Sequence, residues 1–349
     1  MRKLIVSLLN ERQKVAVKQL LTACKYRIRL TFTANRWLAT IYFAAFSRSF
    51  GREHHAVLQG QRAFEQQRAR LAGTHALLRR NIHRLEKGLM MPNRKAIFAE
   101  DYINETVEIY LSARQSHDFD NAELRWASDV LTAYFAAVSD TTLILAARQK
   151  FVQVTPLADS GSVPFLQQDL PAADCSYQQL LSLCQRRHSV RWFLPMPVPR
   201  PVLVNAIRVA SEAPSACNRQ PFQFHLLHGQ DAVAGARLAM GTTGFAENIP
   251  ALIVVIGDLS CYQEHRDRHL IYIDSALASM QFMLAIEAQG FSSCPINWPD
   301  IEVRERQMQQ FLKLKPYQRP VMLIAVGQAD PQAKVAFSQK KNPELLIRE

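Results

Sequence analysis

Two polar stretches, RHSVRWF at residues 187–193 and APSACNRQPFQF at residues 213–224, flank a short amphipathic segment. Within residues 201–211, the apolar side chains Leu203, Ile207 and Ala210 recur three or four positions apart, which is the spacing of one helix face. The two polar stretches are therefore predicted to be the loops at the two ends of one helix.

The first loop carries the chemistry of an anion site. Arg187 and Arg191 are four residues apart with the hydroxyl of Ser189 between them. Guanidinium groups donate paired hydrogen bonds that match the oxygens of a phosphate, and a hydroxyl adds a further donor. The alternative is that both arginines are solvated surface charges.

The second loop is rigid and rich in groups that both donate and accept hydrogen bonds. It contains Pro214, the hydroxyl of Ser215 and the carboxamides of Asn218 and Gln220. Such groups suit a planar, amide-rich ligand that also carries a phosphate. The alternative is a turn without a ligand.

Downstream, short apolar strands alternate with helices, which favours an α/β fold with three layers. The predicted helices cover residues 177–186, 201–211, 272–289 and 301–312, and the predicted strands cover 222–226, 251–257, 291–296 and 320–326. Because ALIVVIG at 251–257 is apolar on both faces, we expect that strand to be fully buried.

The pattern R-x-S-x-R-x-F, a helix, and then A-P-S-x-x-N-x-Q-P-F-x-F resembles the signature of the FMN-dependent nitroreductase family. The resemblance extends over residues 176–349 and implies a nitroreductase-like α+β three-layer sandwich with a mixed sheet. It also implies a homodimer that binds FMN at each end of its interface. The implied activity is ping-pong hydride transfer through flavin N5, from NAD(P)H to an organic acceptor, without an essential side-chain acid or base.

The resemblance also assigns roles to residues. It implies that Arg187 and Ser189 contact the FMN phosphate, and that Arg191 lies near flavin N1 and the C2 carbonyl. It places the closing lysines on the phosphate, Lys341 directly and Lys340 as an aid. The second loop is implied to reach the cofactor from the partner subunit, through Pro214, Ser215, Asn218 and Gln220.

A third segment, CPINW at residues 294–298, matches the family position where a backbone N–H points at flavin N5. The resemblance therefore adds Pro295, Asn297 and Trp298 to the cofactor site. Trp298 replaces the usual glycine, and its ring is expected either to stack at the flavin edge or to narrow the pocket. Cys294 is either redox-active beside the flavin or a small packing residue.

The basic charge of the chain is concentrated at its N-terminus. Residues 1–100 hold 20 Lys and Arg against 5 Asp and Glu, whereas the remainder holds 22 against 25. Helical periodicity predicts a basic all-helical module at residues 1–151, with helices at 1–30, 56–89, 97–112 and 122–150, and an aromatic patch at 37–46. Proline and glycine mark residues 152–175 as a linker to a domain at 176–349.

Several hypotheses exist for the role of this module. Only about a dozen residues connect Ile256 to Ile271, where many members of the resembled family carry extra helices over the flavin, so either the pocket is open or the module covers it, and we expect the cover. The basic, aromatic segment of the module is expected to lie on an anionic membrane surface, to pack against a partner, or to pack on its own protein with its lysines in water. Residues 83–88, HRLEKG, resemble a segment that precedes nitroreductase-like domains in bacterial surface-polysaccharide clusters. The alternative function is therefore a weakly catalytic or non-catalytic component of a polysaccharide assembly at the membrane.

Other site types find less support in the sequence. The spacing of His83 and Glu86 suits a metal pair or a salt-bridged helix end, and that of His265 and His269 suits a metal pair or a solvated helix face. Further ligands are not evident, so we expect no metal. The N-terminal residues are basic, but the sequence contains no known nucleic-acid-binding motif, so we expect no nucleic-acid partner. Six scattered cysteines predict a cytoplasmic protein, and we expect neither a signal peptide nor a membrane span.

Overall fold

The computed structural model describes residues 11–47, 49–67, 73–155, 157 and 160–349. It divides the chain after His55 into two compact units. The first contains helices α1 (Glu11–Thr31) and α2 (Arg36–Ile41), followed by a π-helical turn, Tyr42–Phe46. The Asn35 side chain accepts a hydrogen bond from the Leu38 N–H and caps α2. The helix predicted over 1–30 is present from Glu11, and its first ten residues lie outside the described part.

Five further helices precede the sheet: α3 (Gly51–Gln67), α4 (Ala76–Leu89), α5 (Ile103–Arg114), α6 (Asn121–Ala137) and α7 (Thr142–Phe151). The prediction of one helix over 56–89 is wrong, because the His75 side chain caps a new helix at α4. The prediction of one helix over 122–150 is also wrong. The Thr141 hydroxyl accepts from the Ile144 N–H and starts α7 separately.

Helices α4 to α7 enclose an apolar core of their own. Tyr110, Tyr134 and Ile82 are fully buried in it, and the Tyr134 hydroxyl donates to the Phe98 carbonyl at 2.7 Å. These helices belong to the same compact unit as residues 176–349. The domain boundaries at 151/152 and 175/176 therefore stay a prediction. The described residues between α7 and the next helix contain one 3-10 turn, Gln167–Asp169.

The C-terminal part alternates helices and strands as expected. Its elements are α8 (Tyr177–Arg186), α9 (Arg200–Ser211), β1 (Phe222–His228), α10 (Gly229–Leu238), β2 (Ala251–Asp258), α11 (Leu270–Ala288), β3 (Ser292–Asn297), α12 (Glu302–Leu312) and β4 (Gln318–Gly327). Ser176 and Gln179 form a reciprocal capping box at the start of α8.

The four strands form one sheet in the order β1-β2-β4-β3, with antiparallel pairing throughout. The resemblance implied a mixed sheet. At the β3 edge, an isolated bridge between Ser189 and Ser293 is parallel. Strand β2 is completely buried, as predicted. Its alternate residues enter two cores, Leu252 and Val254 on the side of α10 and α12, and Ile253 and Val255 on the side of α9 and α11. The domain is therefore a three-layer sandwich.

Helix α11 lies within the stretch His265–Ala288, which is long and apolar enough to cross a bilayer by length and composition. Its buried face includes Ala278, Phe282 and Ile286, which pack on the sheet. Phe282 stacks on Phe224 of β1, with ring centroids 5.6 Å apart. These contacts are those of a core helix.

The helical region meets the sheet domain at a close approach of α3 to the chain after β2. A Cβ added at Gly60 would lie 2.7 Å from the Leu259 Cβ and 2.9 Å from its backbone. Gln61 and Gln67 also donate to this segment, at Gln263 and Ser260 respectively. Glycine is therefore required at position 60.

We expect Gly60→Ala to lower the free energy of unfolding by about 1–2 kcal/mol, because overpacking outweighs alanine's helix propensity. Gly51→Ala in the same helix meets no heavy atom within 4 Å and is the matched control. Urea denaturation of both variants measures the difference. Equal stability of the two variants would show that α3 does not depend on this contact.

Candidate functional site

A cleft of about 590 Å³ opens where α8 ends and the C-terminal segment returns. It brings together Arg187, Ser189 and Arg191 of the first loop with Lys340, which lies about 150 residues further along the chain. The other lining residues are Cys184, Gln185, His188, Ala336, Phe337, Ser338 and Gln339. Two segments predicted from separate motifs thus share one cavity.

The cleft carries positive charge that its surroundings do not neutralise. Among the described residues, no carboxylate forms a salt bridge with Arg187, Arg191 or Lys340. The neighbouring Arg186, by contrast, pairs with Glu287 at 3.0 Å. Three cations and the Ser189 hydroxyl therefore remain available to an anion in the cavity.

Strand β3 forms the edge against which the first loop lies. The Val190 N–H donates to the Ser293 carbonyl at 3.0 Å, and the Ser189–Ser293 bridge is parallel. The chain after Ser189 therefore runs parallel to β3 after Ser293. Further along β3, Pro295 and Asn297 are exposed.

Cys294 lies on β3 with 1% of its surface exposed, packed in the core between the sheet and α10. Burial raises the pKa of its thiol, although the nearby Arg191 and Arg187 guanidiniums oppose the shift. A buried thiol with a raised pKa is a poor nucleophile at neutral pH. The packing interpretation of Cys294 is therefore favoured over the redox one.

The Trp298 side chain does not enter the cleft. It is buried in the core, and its indole N–H donates to Glu305 Oε1 at 2.6 Å. The other oxygen of Glu305 accepts from Arg319 Nε at 3.1 Å, and Arg319 also pairs with Asp300. This buried network fixes the end of β3 and leaves the backbone of Asn297 and Trp298 for any contact with a ligand.

We expect Trp298→Phe to lower the free energy of unfolding by about 2 kcal/mol, since hydrogen bonds to charged groups contribute roughly that much and Glu305 stays buried. Trp192→Phe is the control, because Trp192 is half exposed. Chemical denaturation compares the two variants. If both lose the same stability, the Trp298–Glu305 bond does not anchor β3.

The second loop lies elsewhere in the subunit. Pro214, Ser215, Asn218 and Gln220 are not among the residues that line the cleft. The Ala216 N–H donates to Asp274 Oδ2 of α11 at 3.0 Å, and the Asn218 carbonyl accepts from Arg79 Nε of α4 at 2.8 Å. The loop therefore sits between α4 and α11.

This loop also stores backbone strain. Cys217, Asn218 and Gln220 have φ values of 54°, 52° and 47°, in the left-handed region that disfavours side chains. The Ser215 hydroxyl accepts from the Gln220 N–H at 3.0 Å, and the Gln220 side chain donates to the Ser211 carbonyl at 3.1 Å. Strained residues held this tightly are typical of ligand-binding loops.

Several residues that hold these loops were not singled out from the sequence. Arg79, Glu305 and Arg319 act through tertiary contacts that no motif marks. Asp274 had a usable signal, because it is an isolated carboxylate within the apolar stretch LIYIDSALASM. Burial raises the pKa of Asp274, while its bonds from Ala216 and Tyr262 oppose the shift.

The sequence analysis also singled out His83 with Glu86, and Lys341. His83 Nδ1 lies 3.1 Å from Glu86 Oε2, while Glu86 Oε1 accepts from the Trp126 indole at 2.9 Å. This contact has the geometry expected for a paired helix end. Lys341 is exposed and is not among the residues that line the cleft, so its role stays a prediction.

Comparison with known proteins identifies the C-terminal half. Residues 184–240 and 236–328 match the model of the Nitroreductase family. The Bacillus subtilis (strain 168) protein named "Putative NAD(P)H nitroreductase YodC" is 24% identical over 184 residues, which cover 43% of this chain and 89% of that protein. The CLA biosynthesis enone reductase of Lactiplantibacillus plantarum is 25% identical over 201 residues, covering 46% and 91%.

Solved structures align over the same half. A nitroreductase family protein from Streptococcus pneumoniae TIGR4 has a TM-score of 0.43 and 22% identity, covering 49% of this chain and 99% of that one. An FMN-dependent nitroreductase from Clostridium difficile R20291 has a TM-score of 0.40 and 19% identity, covering 45% and 92%.

Proposed function

The C-terminal half of the chain is a nitroreductase family domain, and from this premise we propose that the protein is an FMN-dependent NAD(P)H oxidoreductase. The observation that carries the proposal is the cleft in which Arg187, Ser189, Arg191 and Lys340 converge without a carboxylate partner among the described residues. When bound, FMN supplies the redox chemistry, accepting a hydride from NAD(P)H and passing it to an organic acceptor in a second half-reaction.

The residues of the cleft fit the phosphate end of FMN. Two guanidiniums, an ammonium and a hydroxyl provide the donors that a phosphate accepts, and the cavity is of the size usual for small-molecule sites. The buried Ser293 hydroxyl, next to the Ser189 bridge, has no hydrogen-bond partner among the described residues. We assign Arg187, Ser189, Lys340 and Lys341 to the phosphate.

The remaining residues orient the ring. Arg191, which lines the same cleft, would supply a fixed cation that stabilises the negative charge of a reduced flavin. The backbone of Pro295, Asn297 and Trp298, held by the Glu305–Arg319 network, orients the flavin N5 side. These groups bind and position, and the proposal gives no side chain the role of acid or base.

We also assign the second loop to the cofactor site of a partner subunit, in a homodimer. An exposed apolar stripe on α11 supports this assignment. Ile273, Leu277 and Met280 are 53%, 43% and 39% exposed at helical spacing, on the helix whose Asp274 holds the second loop. A second copy that covers this stripe brings Pro214, Ser215, Asn218 and Gln220 to the neighbouring cleft.

The helical region between α3 and α7 is proposed to cover the substrate side of this shared site. Ala56 of α3 packs with Leu259, Tyr262 and Ile271, at the short connection after β2, and Arg79 of α4 contacts the second loop. These contacts put α3 and α4 beside both segments, which supports the covering hypothesis.

The spectrum of the purified protein tests the main proposal. We expect a yellow protein whose visible flavin absorption is lost on anaerobic addition of NADH or NADPH and restored by an organic acceptor. Electron transfer in the opposite direction, from a substrate to oxygen, would leave the flavin unbleached by both nicotinamides. Protein that remains colourless after incubation with FMN would overturn the proposal.

A second candidate function concerns the N-terminal unit, which we propose contacts an anionic membrane from the cytoplasm. Trp37, Phe46 and Tyr26 are 72%, 69% and 63% exposed, and Arg36 lies over the Trp37 ring at 5.7 Å. Exposed aromatics beside basic groups suit a headgroup layer. All six cysteines are free thiols, which suits a reducing compartment.

Sedimentation with vesicles tests this candidate. We expect salt-sensitive binding to phosphatidylglycerol vesicles, little binding to phosphatidylcholine vesicles, and reduced binding of Trp37→Ser. Membrane binding together with an inactive, flavin-free protein would favour the alternative of a non-catalytic component of a polysaccharide assembly. Equal binding to both vesicle types would exclude an electrostatic contact.

A further inference from the structure

Helix α4 presents two arginines on one face that form no salt bridge within the described part of the chain. Arg80 and Arg84 are one helical turn apart, a spacing at which like charges repel. Within the described residues, no carboxylate forms a salt bridge with either side chain. Arg79, on another face of the same helix, pairs with Glu123 at 3.0 Å. Among the described residues, a salt bridge therefore neutralises Arg79 of α4 but neither Arg80 nor Arg84.

A third guanidinium joins them from the second loop. Arg219 is 8% exposed, lies over the Tyr262 ring at 4.9 Å, and has a buried Nε without a hydrogen-bond partner. Its Nη1 reaches Asp267 at 3.4 Å, a long contact. Burial lowers the pKa of Arg80, and the charges of Arg84 and Arg219 lower it further, whereas Cys217 and Glu105 oppose the shift. The net direction is the one expected where neighbouring cations repel one another.

The cluster is held in place before any ligand arrives. Arg84 stacks over the Tyr102 ring at 3.8 Å, which fixes its guanidinium plane. The Arg79 Nε bond to the Asn218 carbonyl ties the strained second loop to α4. Preorganised cations with unused donors are what an anion needs, because the ordering cost is met by the fold.

We propose that Arg80, Arg84 and Arg219 form an anion-binding site beside the second loop, and that it takes the phosphate or carboxylate of the substrate. This inference rests on the proposed function for its place in the reaction, since the second loop is there assigned to the cofactor of the partner subunit. Two sources supply such an anion: the diphosphate of NAD(P)H, or an acidic group on the acceptor.

Steady-state kinetics of the full-length holoprotein distinguish these sources. The variants are Arg80→Gln and Arg84→Gln, with Arg237→Gln as the control, because Arg237 is exposed and pairs with Glu247 at 2.6 Å. The substrates are NADH and NADPH, with 4-nitrobenzoate and the neutral 4-nitrobenzyl alcohol as acceptors. A single charged contact corresponds to about a tenfold change in binding.

If the site holds the dinucleotide, the KM for both nicotinamides rises about tenfold in either variant, with both acceptors. If it holds an acidic acceptor, only the KM for 4-nitrobenzoate rises. In each case the control keeps the wild-type KM values. Unchanged KM values for all four compounds in both variants would overturn the proposal.

Pyrophosphate binding gives a readout that does not depend on turnover. Isothermal titration of the wild-type protein with pyrophosphate is expected to show a site that is weakened about tenfold by Arg80→Gln and by Arg84→Gln. If a variant is less stable, the increase in its Tm on addition of pyrophosphate still measures the binding, and we expect that increase to be smaller than in the wild-type protein. An inactive, flavin-free protein that still shows this difference would refute the proposed function and retain the anion site, whereas identical titrations would refute the site.

Discussion

Replacing Arg187 and Arg191 together by Gln weakens FMN binding by about 3 kcal/mol, or roughly a hundredfold. The two guanidiniums line the same cleft as Ser189 and Lys340, and neither forms a salt bridge within the described residues. A bound phosphate would therefore lose two charge-assisted hydrogen bonds in the double variant. Each contact is discounted because the side chains are partly solvated. Quenching of flavin fluorescence during titration of the apoprotein measures the affinity.

Arg186→Gln is the matched control for this double substitution. Arg186 is adjacent in sequence, but it pairs with Glu287 and is not among the residues that line the cleft. We expect it to bind FMN with nearly the wild-type affinity. If the double variant binds FMN as tightly as Arg186→Gln does, the first loop does not hold the phosphate.

Leu277→Asp is expected to convert the protein to a monomer and to remove its flavin. Leu277 lies in the exposed apolar stripe of α11 between Ile273 and Met280. A carboxylate buried there by a second copy would cost several kcal/mol, which is comparable to the stability of an ordinary dimer. Because the second loop is assigned to the partner's cofactor, the monomer has only half of each site. Sedimentation velocity and flavin content measure the two effects.

Val303→Asp provides the control, because Val303 is also an exposed apolar residue on a helix surface, 62% exposed on α12. It should leave both the oligomeric state and the flavin content unchanged. A Leu277→Asp protein that stays dimeric and yellow contradicts the assignment of the stripe to the interface. A monomer that keeps its flavin would instead show that the second loop acts within its own subunit.

The C-terminal fold was predictable because its strands are short, apolar and separated by clear turns. The stretch ALIVVIG is buried on both faces, so its character does not depend on finding the right neighbour. The N-terminal helices were harder. Their apolar periodicity continues across the breaks before α4 and α7, where one capping side chain, His75 or Thr141, restarts the helix.

The site was predictable where a motif carries its own chemistry. Arg187, Ser189, Arg191 and Lys340 share a cleft, although separate patterns identified them. The orientation of Trp298 was not predictable, because it depends on Glu305, which meets the indole only through packing of α12 on the sheet. For the same reason no pattern indicated that Arg79 would fasten Asn218.

Helix α11 joins two tasks in one rigid element. Its Asp274 holds the second loop, and the adjacent Ile273 belongs to the stripe assigned to the partner subunit. In the proposed dimer, a ligand that orders the second loop of one site would therefore act on the interface between the two copies, and through it on the other site. We expect the two sites of the proposed dimer to bind their ligand with unequal affinity, so that occupancy of one site changes the affinity of the other.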